Sequence, residues 1–209
     1  PGESAGLLPP HSSLTSVRLA NAGFGQGVAV TAIQLVSAYS ALANGGFLME
    51  PRLVLAVGGE PAQGPVRLRR VASERTVSQL GSLLEGVVLR GTGQSAKLSG
   101  YRAAGKTGTA QKIDPSTGRY STVDYISSFI GYAPLPEPRF TILVAIDSPR
   151  VGYYGSEVAA PVFAKLARSL LALSGAPPDQ PLPLRVSSGP NASRLVGVPA
   201  GVPAPSMKP

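Results

Sequence analysis

The 209-residue sequence has no cysteine, no tryptophan and a single histidine, His11. Without Cys, neither a disulfide framework nor a thiolate metal site can form. That absence is compatible with an extracytoplasmic life. One His cannot make a His cluster, and His11 stands in a Pro/Ser-rich stretch that reads as a surface loop. Charge is scarce and one-sided: 14% of residues are charged, 19 Lys and Arg stand against 11 Asp and Glu, and the net charge is +8. A basic balance can mark nucleic acid or an anionic surface as partner. Here the cations are scattered, and the densest cluster is Arg67, Arg69 and Arg70 on a strand-like run. Aromatic residues are only 6%, too few for base stacking, and no nucleic-acid module is recognisable, so nucleic acid is not expected as a partner. No apolar run approaches the roughly 18 residues of a membrane span, and no signal peptide opens the chain. The start, Pro-Gly-Glu-Ser-Ala-Gly, reads as a loop entered midway.

Glycine and proline are plentiful, 25 and 21 residues, and 43% of the chain is hydrophobic, enough for one substantial core rich in turns. Residues 1–23 read as loop. Thr31-Ala32-Ile33-Gln34 is a capping box, followed by Leu35, Val36, Tyr39 and Leu42 at helical spacing and stopped by Asn44-Gly45-Gly46. Arg52–Val57 and Val66–Val71 are strand-like runs joined across a Gly/Pro turn. A second amphipathic helix is predicted from about Glu74 to Leu89, with Val77, Leu80, Leu84, Val87 and Val88 on one face and a stop at Gly91-Thr92-Gly93. Asp124–Ala133 and Arg139–Asp147 form a predicted β-hairpin. A last helix begins near Pro161 and carries Val162, Phe163, Leu166, Leu170 and Leu171 inward. Residues 176–209, rich in Pro, Ser, Ala and Gly, read as a flexible tail beyond a folded part at 1–175. This order of elements predicts an α+β fold, an antiparallel sheet faced by helices.

Residues 100–110, GYRAAGKTGTA, satisfy two motifs at once. Gly100, Gly105, Lys106 and Thr107 fit the nucleotide-binding pattern G-x-x-x-x-G-K-[ST], and Thr141–Asp147 resembles the apolar strand whose terminal Asp would serve Mg²⁺. A P-loop needs a buried strand before it and a helix N-terminus after it. The polar stretch from Gly93 to Ser99 is no such strand, and Gly108 followed by Asp114-Pro115 is a poor helix start. The nucleoside triphosphatase reading is therefore the remote one. If Ala103–Gln111 is a strand instead, Lys106, Gly108 and Ala110 alternate with Thr107, Thr109 and Gln111 on opposite faces. Such a strand can offer a cation and hydroxyls to a substrate carboxylate and a backbone N–H to an oxyanion. Gly108 would let the substrate approach the backbone closely. Lys-Thr-Gly alone is a short signal.

The surrounding blocks strengthen it. Gly23–Thr31 (GFGQGVAVT), Ala38–Gly46 (AYSALANGG), Gly91–Gly93 (GTG), Ala104–Gln111 (AGKTGTAQ), Ser128–Pro134 (SFIGYAP) and Tyr154–Phe163 (YGSEVAAPVF) stand in order with the Pro1-Gly2-Glu3 start. In these the chain resembles the C-terminal part of the transpeptidase domain of class B penicillin-binding proteins, nearer the septal than the elongation type. The resemblance implies a penicillin-binding, serine β-lactamase-like fold of which only the C-terminal portion is present. It implies that Lys106 is the cation of the KTG strand, that Thr107 and Thr109 grip a carboxylate, and that the Thr109 amide is half of the oxyanion hole; Lys106 and Thr109 would be catalytic, and Thr107, Gly108 and Thr109 substrate-binding. It implies no metal and no organic cofactor. The implied partners are D-Ala-D-Ala stem peptides of peptidoglycan, β-lactam antibiotics, a SEDS-family glycan polymerase and other division proteins. The implied place is the extracytoplasmic side of the bacterial inner membrane, with an anchor outside this chain. Gly91-Thr92-Gly93 is assigned no chemistry.

The family's chemistry also needs a nucleophilic Ser with its Lys in S-x-x-K, and an S-x-N motif. Neither occurs in the 209 residues. The expectation is a fragment that supplies the KTG side of a cleft, is inactive alone, and depends on the remaining N-terminal part of the same protein. A non-catalytic scaffold, or a β-lactamase or D,D-carboxypeptidase that uses water as acceptor, remain alternatives. With an incomplete core, the isolated chain is expected to melt without a cooperative transition in circular dichroism. A sharp two-state melt would contradict this.

Overall fold

The computed structural model describes residues 4–62 and 64–181. Within the stretch expected as loop lies a short helix, α1 (Ser16–Gly23), whose N-cap Thr15 accepts the Arg18 N–H. None of its residues is buried. Helix α2 (Ala32–Ala43) starts at the capping box as predicted. The Thr31 hydroxyl accepts the Gln34 amide at 3.2 Å, and the Gln34 side chain accepts the Thr31 amide at 2.9 Å. Two otherwise unpaired donors of the helix start are satisfied together.

The expected pairing of Arg52–Val57 with Val66–Val71 is not what forms. Strand β1 (Phe47–Met49) pairs antiparallel with β4 (Arg67–Arg70), while β2 (Ala56–Val57) and β3 (Glu60–Pro61) close a separate small hairpin between them. The reason is visible at Phe47. Its ring lies beneath the guanidinium carbons of Arg67 and Arg70, 3.9 and 4.3 Å from the centroid, a pair of cation–π contacts. The arginine cluster thus grips an aromatic ring of its own chain.

Helix α3 (Glu74–Arg90) occupies the predicted span. The Ser73 hydroxyl accepts the Thr76 amide at its start, and the Val87 carbonyl accepts the amides of both Gly91 and Gly93 at its end. The central sheet has the order β5 (Ala104–Ile113), β6 (Tyr120–Ala133), β7 (Phe140–Asp147), all antiparallel. One face carries Phe129, Ala133, Ile142 and Val144 into the core against α5 (Ala160–Leu173), which follows the short helix α4 (Gly155–Val158). Phe129 and Phe163 are fully buried, their ring centroids 4.7 Å apart. On the other face Tyr132 reaches Gly81 of α3, and α2 packs over β6 and β7. Burial there pushes the Tyr132 phenol up from its ordinary value.

Three contacts hold the beginning of β5. Arg102 makes a two-pronged ion pair with Glu85 of α3, at 2.7 and 2.8 Å, and the bonded guanidinium holds the Glu85 carboxyl below its ordinary range. The Arg102 amide donates to Asp179, and the Tyr101 hydroxyl to the Ala176 carbonyl. Residues 176–180, assigned by composition to the tail, are therefore tied to the folded body. The rest of that stretch, 182–209, lies outside the described residues.

The inward set predicted for α5 needs correction. Ala160, Phe163, Ala167 and Leu171 are buried, whereas Val162 and Leu166 are 38% and 45% exposed. The buried stripe is i, i+3, i+7, i+11, and small Ala167 lets the helix lie close to the sheet. In the full-length protein, Phe163→Ala is expected to cost about 3–5 kcal/mol of stability, and Leu166→Ala within about 0.5 kcal/mol of nothing. Denaturant unfolding of both variants checks the ranking, and equal losses would contradict it.

Candidate functional site

Strand β5 is the edge of its sheet, paired only with β6 among the described residues. The strand predicted for Ala103–Gln111 is thus present, with the predicted alternation. Lys106, Gly108 and Ala110 stand opposite Ile130, Ser128 and Ile126; Thr107, Thr109 and Gln111 stand opposite Phe129, Ser127 and Tyr125. This disposes of the nucleotide-binding reading, because Lys106 and Thr107 lie inside a β-strand that leads into β6, not in a loop that opens a helix. Asp147, the other half of that reading, is ion-paired to Lys112 at 2.7 Å.

Although Lys106 and Thr107 belong to opposite faces, their functional atoms meet. The exposed Lys106 side chain bends back so that Nζ donates to the Thr107 carbonyl at 2.9 Å and to Thr107 Oγ1 at 3.3 Å. Thr107 Oγ1 is also 2.9 Å from the hydroxyl of Thr92. Two positions along, Thr109 Oγ1 accepts the backbone N–H of Gly155, at the start of α4, at 3.2 Å. A cation and two hydroxyls therefore line one exposed run of edge strand, each hydroxyl supported from behind.

The glycines of this run have local causes. A Cβ at Gly108 would lie 2.5 Å from Ser128 Oγ, so any side chain there would have to turn the Ser128 hydroxyl aside. A Cβ at Gly155 would collide with the Ser128 carbonyl and stand 2.5 Å from that of Gly108. Gly155 is thus what allows a helix start to press onto the ladder and deliver its amide to Thr109.

The sequence reading missed an aromatic cluster beside Thr109. Tyr125 stacks on Tyr153 with centroids 4.7 Å apart, Tyr153 meets Tyr154 at 4.4 Å, and the Tyr153 hydroxyl donates to that of Tyr154 at 3.0 Å. The buried Ser127 hydroxyl ties this loop down by donating to the Tyr153 carbonyl. Hydrogen bonding to Tyr154 pushes the Tyr153 phenol up from its ordinary value. The signal available in sequence was the Tyr153-Tyr154 pair directly before Gly155. No cluster of three or more metal-ligating side chains occurs among the described residues, and no helix among them is long and apolar enough to cross a membrane.

Residues 1–168 match the family described as penicillin binding protein transpeptidase domain. The sequence is 40% identical to stage V sporulation protein D of Bacillus subtilis, over 85% of this chain and 28% of that protein. It is 36% identical to the probable peptidoglycan D,D-transpeptidase PenA of Neisseria meningitidis, over 87% of this chain and 30% of that protein. Among solved structures, the apo transpeptidase domain of penicillin-binding protein 3 from Burkholderia pseudomallei superposes with a TM-score of 0.76 at 36% identity, over 87% of this chain and 54% of that one. Penicillin-binding protein 3 of Mycobacterium tuberculosis, complexed with aztreonam, gives 0.72 at 35% identity, over 87% and 44%. This chain therefore belongs to the penicillin-binding protein transpeptidase family and has its fold, and it spans about a third of the length of those two relatives.

Gly155→Ala is expected to lower stability by about 1–3 kcal/mol through overpacking against the two carbonyls, measurable by thermal unfolding of the full-length protein. An unchanged melting temperature would contradict the close approach.

Proposed function

We propose that this chain, as a member of that family, is the KTG-bearing part of a class B, septal-type peptidoglycan D,D-transpeptidase. The carrying observation is the convergence of the Lys106 ammonium, the Thr107 hydroxyl and the Thr109 hydroxyl on the open edge of β5. Charge-assisted bonds from such donors suit the carboxylate that ends a D-Ala-D-Ala stem peptide and the carboxylate of a β-lactam. In an antiparallel ladder, alternate residues turn both N–H and C=O to the same side. The Thr107 carbonyl is reached by the Lys106 ammonium, so the Thr109 amide, two residues on, has the parity of the open edge. That amide is the proposed oxyanion donor, and loss of one such donor typically costs about 10²–10³ in rate.

The nucleophile is a serine outside these 209 residues, since no S-x-x-K occurs within them. Its oxygen would attack the carbonyl of the penultimate D-Ala, expel the terminal D-Ala, and leave an acyl-enzyme that a second stem peptide's amine resolves. Lys106 would orient the ligand and its hydrogen-bond network, Thr107 and Thr109 would bind the carboxylate, and Gly108 would keep the edge clear. The names of the relatives, a D,D-transpeptidase and penicillin-binding proteins, one of them complexed with aztreonam, support cross-linking over a scaffold role. On this reading the intact protein is anchored in the inner membrane with this part outside, and works beside a SEDS-family polymerase and division proteins.

Fluorescent-penicillin labelling of the full-length protein is expected to fall at least about a hundredfold on Lys106→Ala, with the fold intact by circular dichroism. Undiminished labelling of that variant would overturn the assignment. Transfer of the acyl group to a supplied stem-peptide amine, rather than to water alone, separates a transpeptidase from a carboxypeptidase or β-lactamase.

A further inference from the structure

Gly91-Thr92-Gly93 ends helix α3, and sequence alone gives it no further duty. Its geometry is nevertheless tightly constrained. A Cβ at Gly91 would lie 2.8 Å from Val87 Cα, and one at Gly93 would lie 3.1 Å from both Phe129 Cε2 and Val87 Cγ1. The two glycines let the chain fold back over the last turn of α3, where both of their amides donate to the Val87 carbonyl. Phe129, which Gly93 touches, is the residue facing Thr107 across the ladder. Thr92, between the glycines, is thereby held with its hydroxyl 2.9 Å from Thr107 Oγ1.

A hydroxyl has one proton to donate and two lone pairs to accept with, and an ammonium can only donate. Lys106 Nζ, at 3.3 Å, therefore takes one acceptor position of Thr107 Oγ1. We propose that Thr92 is a positioning residue: it donates its hydroxyl proton to Thr107, fills the second acceptor position, and so commits the Thr107 proton to a substrate carboxylate at the open edge of β5. The inference rests on the reading of β5 as the carboxylate-binding strand. The oxygen pair could be bonded in either direction with the site empty, but an arriving anion requires a donor. Only the Thr92-to-Thr107 direction leaves the Thr107 proton free. Thr109 is prepared in the same sense, because the Gly155 amide donates into its oxygen and leaves its proton available. The strand thus presents two hydroxyls that accept from within the protein, Thr107 at both positions and Thr109 at one, and keep their protons for the ligand.

The test compares full-length parent, Thr92→Val, Thr92→Ser, Thr107→Val and the Thr92→Val/Thr107→Val double variant. Acylation by fluorescent penicillin is followed over a concentration range, so that non-covalent binding is resolved from the acylation step. Thr92→Val, which keeps the shape and removes the hydroxyl, is expected to weaken binding about tenfold, and Thr92→Ser to restore it to within about twofold. On the Thr107→Val background, Thr92→Val should add no further loss. With the penicillin carboxylate masked as its methyl ester, parent and Thr92→Val should react alike. A purely structural role would lower the reaction of acid and ester together and would persist in the double variant; either result overturns the proposal. So does an impaired Thr107→Val beside an unimpaired Thr92→Val, which leaves the reading of β5 standing. If Thr107→Val itself labels like the parent, that reading fails and this inference falls with it.

Discussion

The position of the candidate site depends on one buried ring. Phe129 of β6 lies in a cage that only glycines permit: a Cβ at Gly105 would come within 2.6 Å of its Cζ, one at Gly131 within 3.1 Å of its Cε1, and one at Gly93 within 3.1 Å of its Cε2. Its other side meets Phe163 of α5. A single aromatic side chain thus joins the edge strand, the end of α3 and the C-terminal helix. Interiors are packed as tightly as organic crystals, so displacement of this ring is transmitted directly. Thr107 is its cross-strand partner and Thr92 is its neighbour through Gly93, so both hydroxyls take their places from it.

On that support the protein arranges donors without burying charge. Lys106 stays exposed and meets Thr107 at the rim of the sheet. Helix α4 abuts β5 through Gly155, and the tyrosine loop is pinned through Ser127. The end of α3 and the start of α4 each place one polar group beside β5, the Thr92 hydroxyl and the Gly155 amide. Core packing and the placing of the proposed ligand-binding hydroxyls therefore rest on shared contacts. On the function proposed above, the strand would give electrostatic and positional help to an acyl transfer, and the attacking atom would come from outside these residues.

The features legible in sequence are those written in local chemistry. The Thr31–Gln34 capping box, the amphipathic span from Glu74, the hairpin on either side of Pro134–Pro138 and the Lys106–Thr109 strand all depend on neighbours a few positions apart, and all are found. The failures are long-range. Phe47–Met49 has three residues, too few to show a period, and its partner was decided by arginines twenty positions away packing on Phe47. The register of α5 turned on which side the sheet lay, and that selected Ala167 over the larger Leu166. The hydroxyl pair Thr92–Thr107 and the Gly155 bond to Thr109 join residues 15 and 46 positions apart. No periodicity encodes them. Their only trace in sequence is glycine where a side chain would have been expected.

The most direct test of the account is a crystal structure of the full-length protein after reaction with a penicillin. The account predicts a penicilloyl group on a serine outside these residues, its carboxylate within hydrogen-bond distance of the Thr107 and Thr109 hydroxyls, and its carbonyl oxygen on the Thr109 N–H. A bound penicilloyl group whose carboxylate lies away from β5, or whose carbonyl oxygen is held by amides other than that of Thr109, would contradict it.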